Sequence, residues 1–144
     1  MQLIIRKAAA QWKVGPKGDT RVMSTGSGVL KNARYASGVQ LKENSATDPA
    51  ELIAAAHAGS FSLALSKELK LAPSAMGSII TTATVTMEHL ATGWTITNIH
   101  LNVIATLPKV TQSEIIDATV RAETSCLVSQ LLRATISVNA KLTR

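Results

Sequence analysis

From Leu52 to Leu65 the chain carries no charged side chain, and almost every residue is apolar or small: Ile53, Ala54, Ala55, Ala56, His57, Ala58, Gly59, Ser60, Phe61. The start of this stretch is marked by Thr47, Asp48 and Pro49. Asp48 can accept from the free N–H groups of a first helical turn, and Pro49 suits the first helical position because its missing donor is not needed there. Glu51, three residues after Asp48, completes a capping-box arrangement with aspartate as the cap. The spacing predicts a helix from Pro49 to about Lys70. A helix without a polar face must be buried nearly all round, and its small residues let other backbones come close. So small a chain has too little material to cover such a helix alone, which predicts a homodimer that buries it at the subunit boundary.

The hydrophobic period changes on either side of the helix. Residues 2–14 and 21–30 read as strands of an N-terminal hairpin, separated by the turn chemistry of Gly15, Pro16, Gly18 and Asp19. A further extended piece is expected from Tyr35 to Leu41. After Pro73 and Gly77 two long strands follow, 78–89 and 94–107, flanking a turn at Ala91, Thr92 and Gly93. In the second, Ile99, Leu101, Val103, Ala105 and Leu107 alternate with Asn98, His100 and Asn102, so one face is buried and the other wet. A second capping box, Thr111 to Glu114, opens a helix expected to carry Ile115, Ile116, Thr119 and Val120 on one side. A short helical stretch from Ser125 to Arg133 and a last strand with Ile136, Val138, Ala140 and Leu142 inward close the chain. Strands, long helix, strands, helix, strand is an α+β order. With 144 residues and 46% hydrophobic content, one domain spanning 1–144 is expected.

Composition excludes several function classes. Cys126 is the only cysteine, so no disulfide can form within one chain, and a reducing, cytoplasmic setting is the default. The first residues turn charged after a short apolar run, unlike a signal peptide, and no stretch approaches the ~18 apolar residues of a membrane span. The net charge of +6 is spread along the whole chain, and the aromatics are only Trp12, Trp94, Tyr35 and Phe61. That is a poor footprint for nucleic acid, which wants a concentrated basic face and stacking platforms. His57, His89 and His100 lack the spacing of a metal site, and there is no cofactor motif. His57 and Ser60 share a helix face, but neither an orienting acid nor an oxyanion hole accompanies them, so a hydrogen-bonded polar pair is the simpler reading.

The segment Asp48-Pro49-Ala50-Glu51-Leu52-Ile53-Ala54-Ala55-Ala56-His57-Ala58-Gly59-Ser60-Phe61-Ser62-Leu63-Ala64-Leu65 resembles the central helix of the osmotically inducible protein C (OsmC) and organic hydroperoxide resistance family. Cys126-Leu127-Val128-Ser129-Gln130-Leu131-Leu132 resembles that family's second motif, and Ser24-Thr25-Gly26-Ser27-Gly28-Val29-Leu30 its N-terminal hairpin. The resemblance runs in order over essentially the whole chain. It implies antiparallel sheets packed around the long central helix, and an intertwined homodimer with two sites at the subunit interface. It further implies an attacking cysteine on the central helix, a resolving cysteine that closes a disulfide, and an Arg and Glu pair that orients the thiolate. On this chain the attacking position falls on Ser60, the resolving one on Cys126, the acid on Glu51 and the arginine on Gln40. Leu127 stands where a proline commonly follows the second cysteine.

Those departures have chemical meaning. Thiol peroxidase chemistry needs a thiolate, a polarisable attacking sulfur and a sulfenic acid that a second thiol reduces. The hydroxyl of Ser60 supplies none of these, and Gln40 supplies no fixed positive charge. The two-cysteine cycle is therefore expected to be lost or altered. Glu51 has a sufficient role as a cap beside its implied role as an orienting acid. At about 100° per residue Glu51 and Ser60 fall on opposite sides of one helix, so they can share a site only from different subunits. Cys126 is either an inert core residue or a single reactive thiol at a helix start, working with an external thiol reductant. Two functions follow: a peroxide-response protein acting on small organic hydroperoxides, or a non-catalytic relative that holds a small hydrophobic ligand in an apolar interface pocket.

Overall fold

A computed structural model of the chain describes residues 2–36, 46–72 and 74–143. These fall into two compact units, Met1–Leu52 and Ile53–Arg144.

In the first unit β1 (Ala8–Gly15) and β2 (Gly18–Thr25) form an antiparallel hairpin, and the short β3 (Ala33–Arg34) adds to β2. The loop is as tight as its residues allow, with Gly15 paired to Gly18 and Gly18 at φ 108°, a value open to glycine. The ladder ends at Ala8 and Thr25, so the strands are shorter than the 2–14 and 21–30 expected. Pairing from this turn runs out where β1 starts, and Gly26 to Leu30 instead turn back so that the Leu30 carbonyl accepts from the Thr25 N–H. Every β1 side chain is exposed, Trp12 at 67%. Its indole N–H donates to Asp19 at 2.8 Å, and Arg21 pairs with the same carboxylate at 2.9 Å. Tyr35 forms an isolated bridge to Thr47, and the rest of the extended piece expected up to Leu41 lies almost wholly outside the described residues.

α1 (Pro49–Glu68) begins where the sequence places it, with the Glu51 N–H donating to Asp48 Oδ1 at 2.6 Å. The capping box is not reciprocal. Glu51 Oε1 accepts from the Thr47 hydroxyl at 2.8 Å rather than reaching back to the cap. The helix ends at Glu68, short of Lys70, for a local reason. Lys70 adopts a left-handed φ of 54°, and the Leu71 N–H closes back on the Ser66 carbonyl at 3.2 Å, a Schellman termination.

In the second unit β4 (Ser78–Leu90), β5 (Gly93–Thr106) and β6 (Thr135–Thr143) form a sheet with β5 in the middle. β4 pairs antiparallel with β5, with a bulge at Thr86/Met87. β6 pairs with β5 in parallel, so the expectation of antiparallel sheets fails here. The cause is the connection: α2 (Gln112–Ser125) and α3 (Leu127–Leu131) carry the chain back across the sheet before β6, the long crossover that a parallel pair needs. Ile99, Leu101, Val103 and Ala105 of β5 are completely buried, as their alternation predicts, with Phe61 and Leu65 of α1 and Ile115, Ala118 and Ala122 of α2 in the same core. Each fully buried large side chain contributes roughly 1.5–3 kcal/mol.

Two expectations about the helices change. The buried side of α2 is Ile115, Ala118, Thr119 and Ala122, whereas Ile116 and Val120 are exposed at 51% and 62%. The alanines win because their small side chains let the helix come close to its neighbours. The α1 stretch is not buried all round within one chain: His57, Phe61 and Leu65 are inside, while Ala55, Ala56, Gly59 and Leu63 are exposed, Leu63 at 73%. No helix among the described residues is long and apolar enough to cross a membrane.

Candidate functional site

Two short segments of the second unit meet at the site. On α1, His57 and Ser60 lie one turn apart. At the break between α2 and α3, Cys126 serves as the C-cap of one helix and the N-cap of the other, its N–H bonded to the Ala122 carbonyl at 2.8 Å. Its extended backbone, at φ −66° and ψ 117°, separates the two helices and turns the side chain into the core, where it is 0% exposed.

Ser60 Oγ lies 3.3 Å from Cys126 Sγ, so two of the four positions singled out in the sequence are in contact. The Val128 N–H donates to Ser60 Oγ at 3.4 Å. With that lone pair occupied, the hydroxyl proton is free to point at the sulfur. Burial pushes the Cys126 thiol up, but the hydroxyls of Ser129 and Ser60 and the backbone N–H groups of Ser129 and Val128 outweigh it, and the net direction is below the ordinary thiol value. The arrangement therefore favours a thiolate through neutral hydrogen-bond donors rather than through a cation.

His57 does not engage Ser60. Its Nε2 lies 2.7 Å from Ser129 Oγ, one turn along from Cys126, and burial lowers its pKa, so the ring stays neutral near pH 7. The serine-nucleophile pairing is thereby absent, because the only base on that face is committed to another hydroxyl. Ser129 was not singled out by sequence reasoning. The signal was its spacing of three from Cys126, matching that of His57 and Ser60 on α1.

Glu51 lies in the first unit, exposed, with its carboxylate bonded to the Thr47 hydroxyl. Gln40, the position matched to the family's arginine, lies outside the described residues. Beside Ser60 a groove of about 580 Å³ is lined by Leu63, Ala64, Leu71 and Leu127 together with Lys67 and Glu68. Among the described residues no cluster of three or more His, Cys, Asp or Glu side chains has the makings of a metal site.

Residues 42–141 match the family model described as OsmC-like protein. The chain is 36% identical over 139 residues to peroxiredoxin OsmC of Escherichia coli strain K12, covering 96% of this chain and 97% of that protein. Among solved structures, an OsmC-like protein of unknown function from Vibrio cholerae superposes with a TM-score of 0.76 at 16% identity, covering 96% of this chain and 100% of the other. An organic hydroperoxide resistance protein from Elizabethkingia anophelis does so with a TM-score of 0.73 at 24% identity, covering 99% and 98%. These two establish likeness of fold. The match of sequence over nearly the full length of both chains goes further, and on it this chain belongs to the OsmC family.

Proposed function

We propose that this protein acts in the peroxide stress response as a one-thiol relative of the hydroperoxide reductases, with Cys126 as the reacting sulfur and Ser60 standing where the family's attacking cysteine would be. The observation that carries the reading is the contact of 3.3 Å between Ser60 Oγ and Cys126 Sγ, in a setting that lowers the thiol pKa. The site is degenerate as a two-cysteine site, because a hydroxyl cannot form a disulfide. It is intact as a cradle for one thiolate.

The chemistry balances with an external thiol. The Cys126 thiolate attacks one oxygen of a small organic hydroperoxide, the O–O bond breaks, and the alkoxide takes a proton from water and leaves as an alcohol. The sulfur is left as sulfenic acid. An external thiol then displaces hydroxide, which leaves as water, and a second external thiol reduces the mixed disulfide back to Cys126. Ser60 donates to the sulfur and gives up no electrons.

The functional unit in this reading is a homodimer of single OsmC-like domains, 1–144, in the cytoplasm, with α1 as the central helix and the sites at the subunit boundary. The exposed apolar side of α1, Ala55, Ala56, Gly59 and Leu63, supports it, since its small residues would let a partner's backbone come close and bury Leu63. Glu51 and Gln40 would serve as polar neighbours from the partner subunit. One observation favours a second reading. Cys126 is fully buried while the groove beside it carries Leu63, Leu71 and Leu127, which suits a non-catalytic protein that holds a small hydrophobic ligand.

Steady-state reduction of an organic hydroperoxide and of hydrogen peroxide with a thiol donor separates the two, run on the native chain, Cys126→Ala and Ser60→Cys, with sulfenic acid trapped by a cyclic diketone. Turnover and trapping that vanish in Cys126→Ala support the one-thiol enzyme. An inert native chain together with an active Ser60→Cys variant rejects it in favour of the binding protein.

A further inference from the structure

The groove beside Ser60 is apolar along Leu63, Ala64, Leu71 and Leu127, and the two charged side chains that line it are engaged differently. Glu68 is held by Arg121 of α2, whose Nε meets its carboxylate at 3.0 Å. Lys67 makes no ion pair among the described residues. A lysine in the last turn of a helix commonly serves the unpaired carbonyls there, but at the end of α1 that role is filled. The Leu65 carbonyl accepts from the Leu69 N–H at 3.0 Å, that of Ser66 from the Leu71 N–H at 3.2 Å, and that of Lys67 from the Lys70 N–H at 3.0 Å. The Glu68 carbonyl accepts from Arg121 Nη2 at 3.4 Å. The Lys67 ammonium is therefore a positive charge left over beside an apolar wall.

Ser60 and Lys67 stand seven residues apart on α1 and line the same groove. At about 100° and 1.5 Å per residue they share one face and lie roughly 10.5 Å apart along the helix axis. C–C bonds of about 1.5 Å advance an extended alkyl chain by roughly 1.25 Å each, so about eight bonds cover that separation. The flexible stem of Lys67 lets the head sit somewhat farther out.

We infer that Lys67 is a specificity-determining residue of this groove, anchoring the anionic head of an amphiphile whose alkyl chain lies along Leu63, Ala64, Leu71 and Leu127 towards Ser60. The chemical class is an alkyl monocarboxylate of about eight to twelve carbons, as a held ligand or as a substrate with its reactive group at the Ser60 end. The inference rests on the reading of this groove as the place of binding beside Ser60 and Cys126, which both proposed functions share. Charge selects the head. With Glu68 already neutralised by Arg121, a cationic head meets only the repulsion of Lys67, and an uncharged head leaves the ammonium unpaired.

Isothermal titration calorimetry of the full chain with nonanoate and with nonanol tests this without any peroxide, because the two match in chain length and differ in charge. Nonanoate should bind the native chain about fivefold more tightly, the upper range for an ion pair open to solvent, and ~0.5 M salt should shrink the difference. Lys67→Met keeps the apolar stem and should bind both ligands as the native chain binds nonanol, while Lys67→Arg should keep the preference. Leu127→Gln, at an exposed position, should weaken both ligands alike. A lysine that served only the stability of α1 would leave the ratio of the two affinities unmoved in Lys67→Met. Equal binding of the two ligands by the native chain overturns the inference, as does a preference that survives in Lys67→Met, a Leu127→Gln variant that binds both as before, or no binding of nonanoate. Circular dichroism checks folding, and Lys67→Gln replaces Lys67→Met if the latter does not fold. The preference should persist in Cys126→Ala, since the sulfur takes no part in it. A preference for nonanoate in a chain that forms no sulfenic acid leaves the inference standing and removes the one-thiol enzyme, whereas hydroperoxide turnover with no such preference removes the inference alone.

Discussion

Replacing Ser60 by cysteine tests the geometry of the site most directly. The hydroxyl oxygen lies 3.3 Å from the Cys126 sulfur, and a disulfide needs about 2 Å, so the two side chains must close by roughly 1 Å, within the reach of a rotamer adjustment. The new bond would join residues 66 apart in sequence. In the chain-entropy account a loop of that size contributes about 4 kcal/mol to stability by restricting the unfolded chain. At about 2–4 °C per kcal/mol for a chain of this length, the oxidised variant should melt roughly 10 °C above its own reduced form. Comparing the two forms of one variant removes the effect of losing the Ser60 hydroxyl and its bond to the Val128 N–H. The assay is thermal unfolding followed by circular dichroism, with and without reductant, and mass spectrometry to confirm loss of both thiol hydrogens on oxidation. A variant that stays a dithiol in the presence of hydroperoxide, with both sulfurs open to alkylation after unfolding, would refute the juxtaposition on which the proposed function stands.

Two further outcomes follow from other parts of the molecule. Burial holds the His57 pKa below its ordinary 6.5, so between the lowered value and 6.5 the unfolded chain takes up a proton that the fold does not. The stability linked to this ring is complete above 6.5 and is lost as pH falls through the lowered value; urea midpoints measured from about pH 7 to about pH 5 should fall less steeply in His57→Gln than in the native chain, and equal slopes would contradict the burial. Thr111 caps α2 in a reciprocal box, accepting from the Glu114 N–H at 3.2 Å while Glu114 accepts from the Thr111 N–H at 2.8 Å, so Thr111→Ala should lower the unfolding free energy by about 1 kcal/mol with an unchanged denaturant slope.

What could be read from the sequence was whatever short spacing controls. Asp48 as a cap and the box from Thr111 to Glu114 follow from side chains that satisfy the first backbone donors of their own helices, and the alternation in β5 follows from the pleat. What failed depends on partners far away in the chain. The parallel direction of β6 is set by the crossover through α2 and α3, which no local pattern in 135–143 announces. The inward side of α2 was misjudged because large apolar residues weigh more than alanine in a periodicity argument, whereas close packing selects Ala118 and Ala122 and leaves Ile116 and Val120 outside. At the site, resemblance paired Ser60 with Cys126. The link from His57 to Ser129 could not be read, since each spacing of three shows only that two side chains share one helix face, and not that the two faces meet.

The burial of Cys126 leaves access to the sulfur as the remaining constraint on any chemistry there. α1 and α2 hold Phe61, Leu65, Ile115, Ala118 and Ala122 in the core, so moving either would expose a large apolar area. α3 differs. It is five residues long, has no buried side chain, and exposes Leu127 at 76% and Leu131 at 78%. Displacing it breaks a few hydrogen bonds, among them that from the Val128 N–H to Ser60 Oγ and that between Ser129 Oγ and His57 Nε2, and uncovers only the partly buried Val128. α3 is thus held by less apolar burial than α1 or α2, and in the proposed one-thiol reading a displacement that admitted a hydroperoxide or an external thiol would also break the bond from the Val128 N–H to Ser60. In the proposed homodimer a partner seated on Leu63, Leu127 and Leu131 would restrain that displacement, so the reading predicts that any reactivity of the single thiol depends on assembly as well as on its own hydrogen bonds.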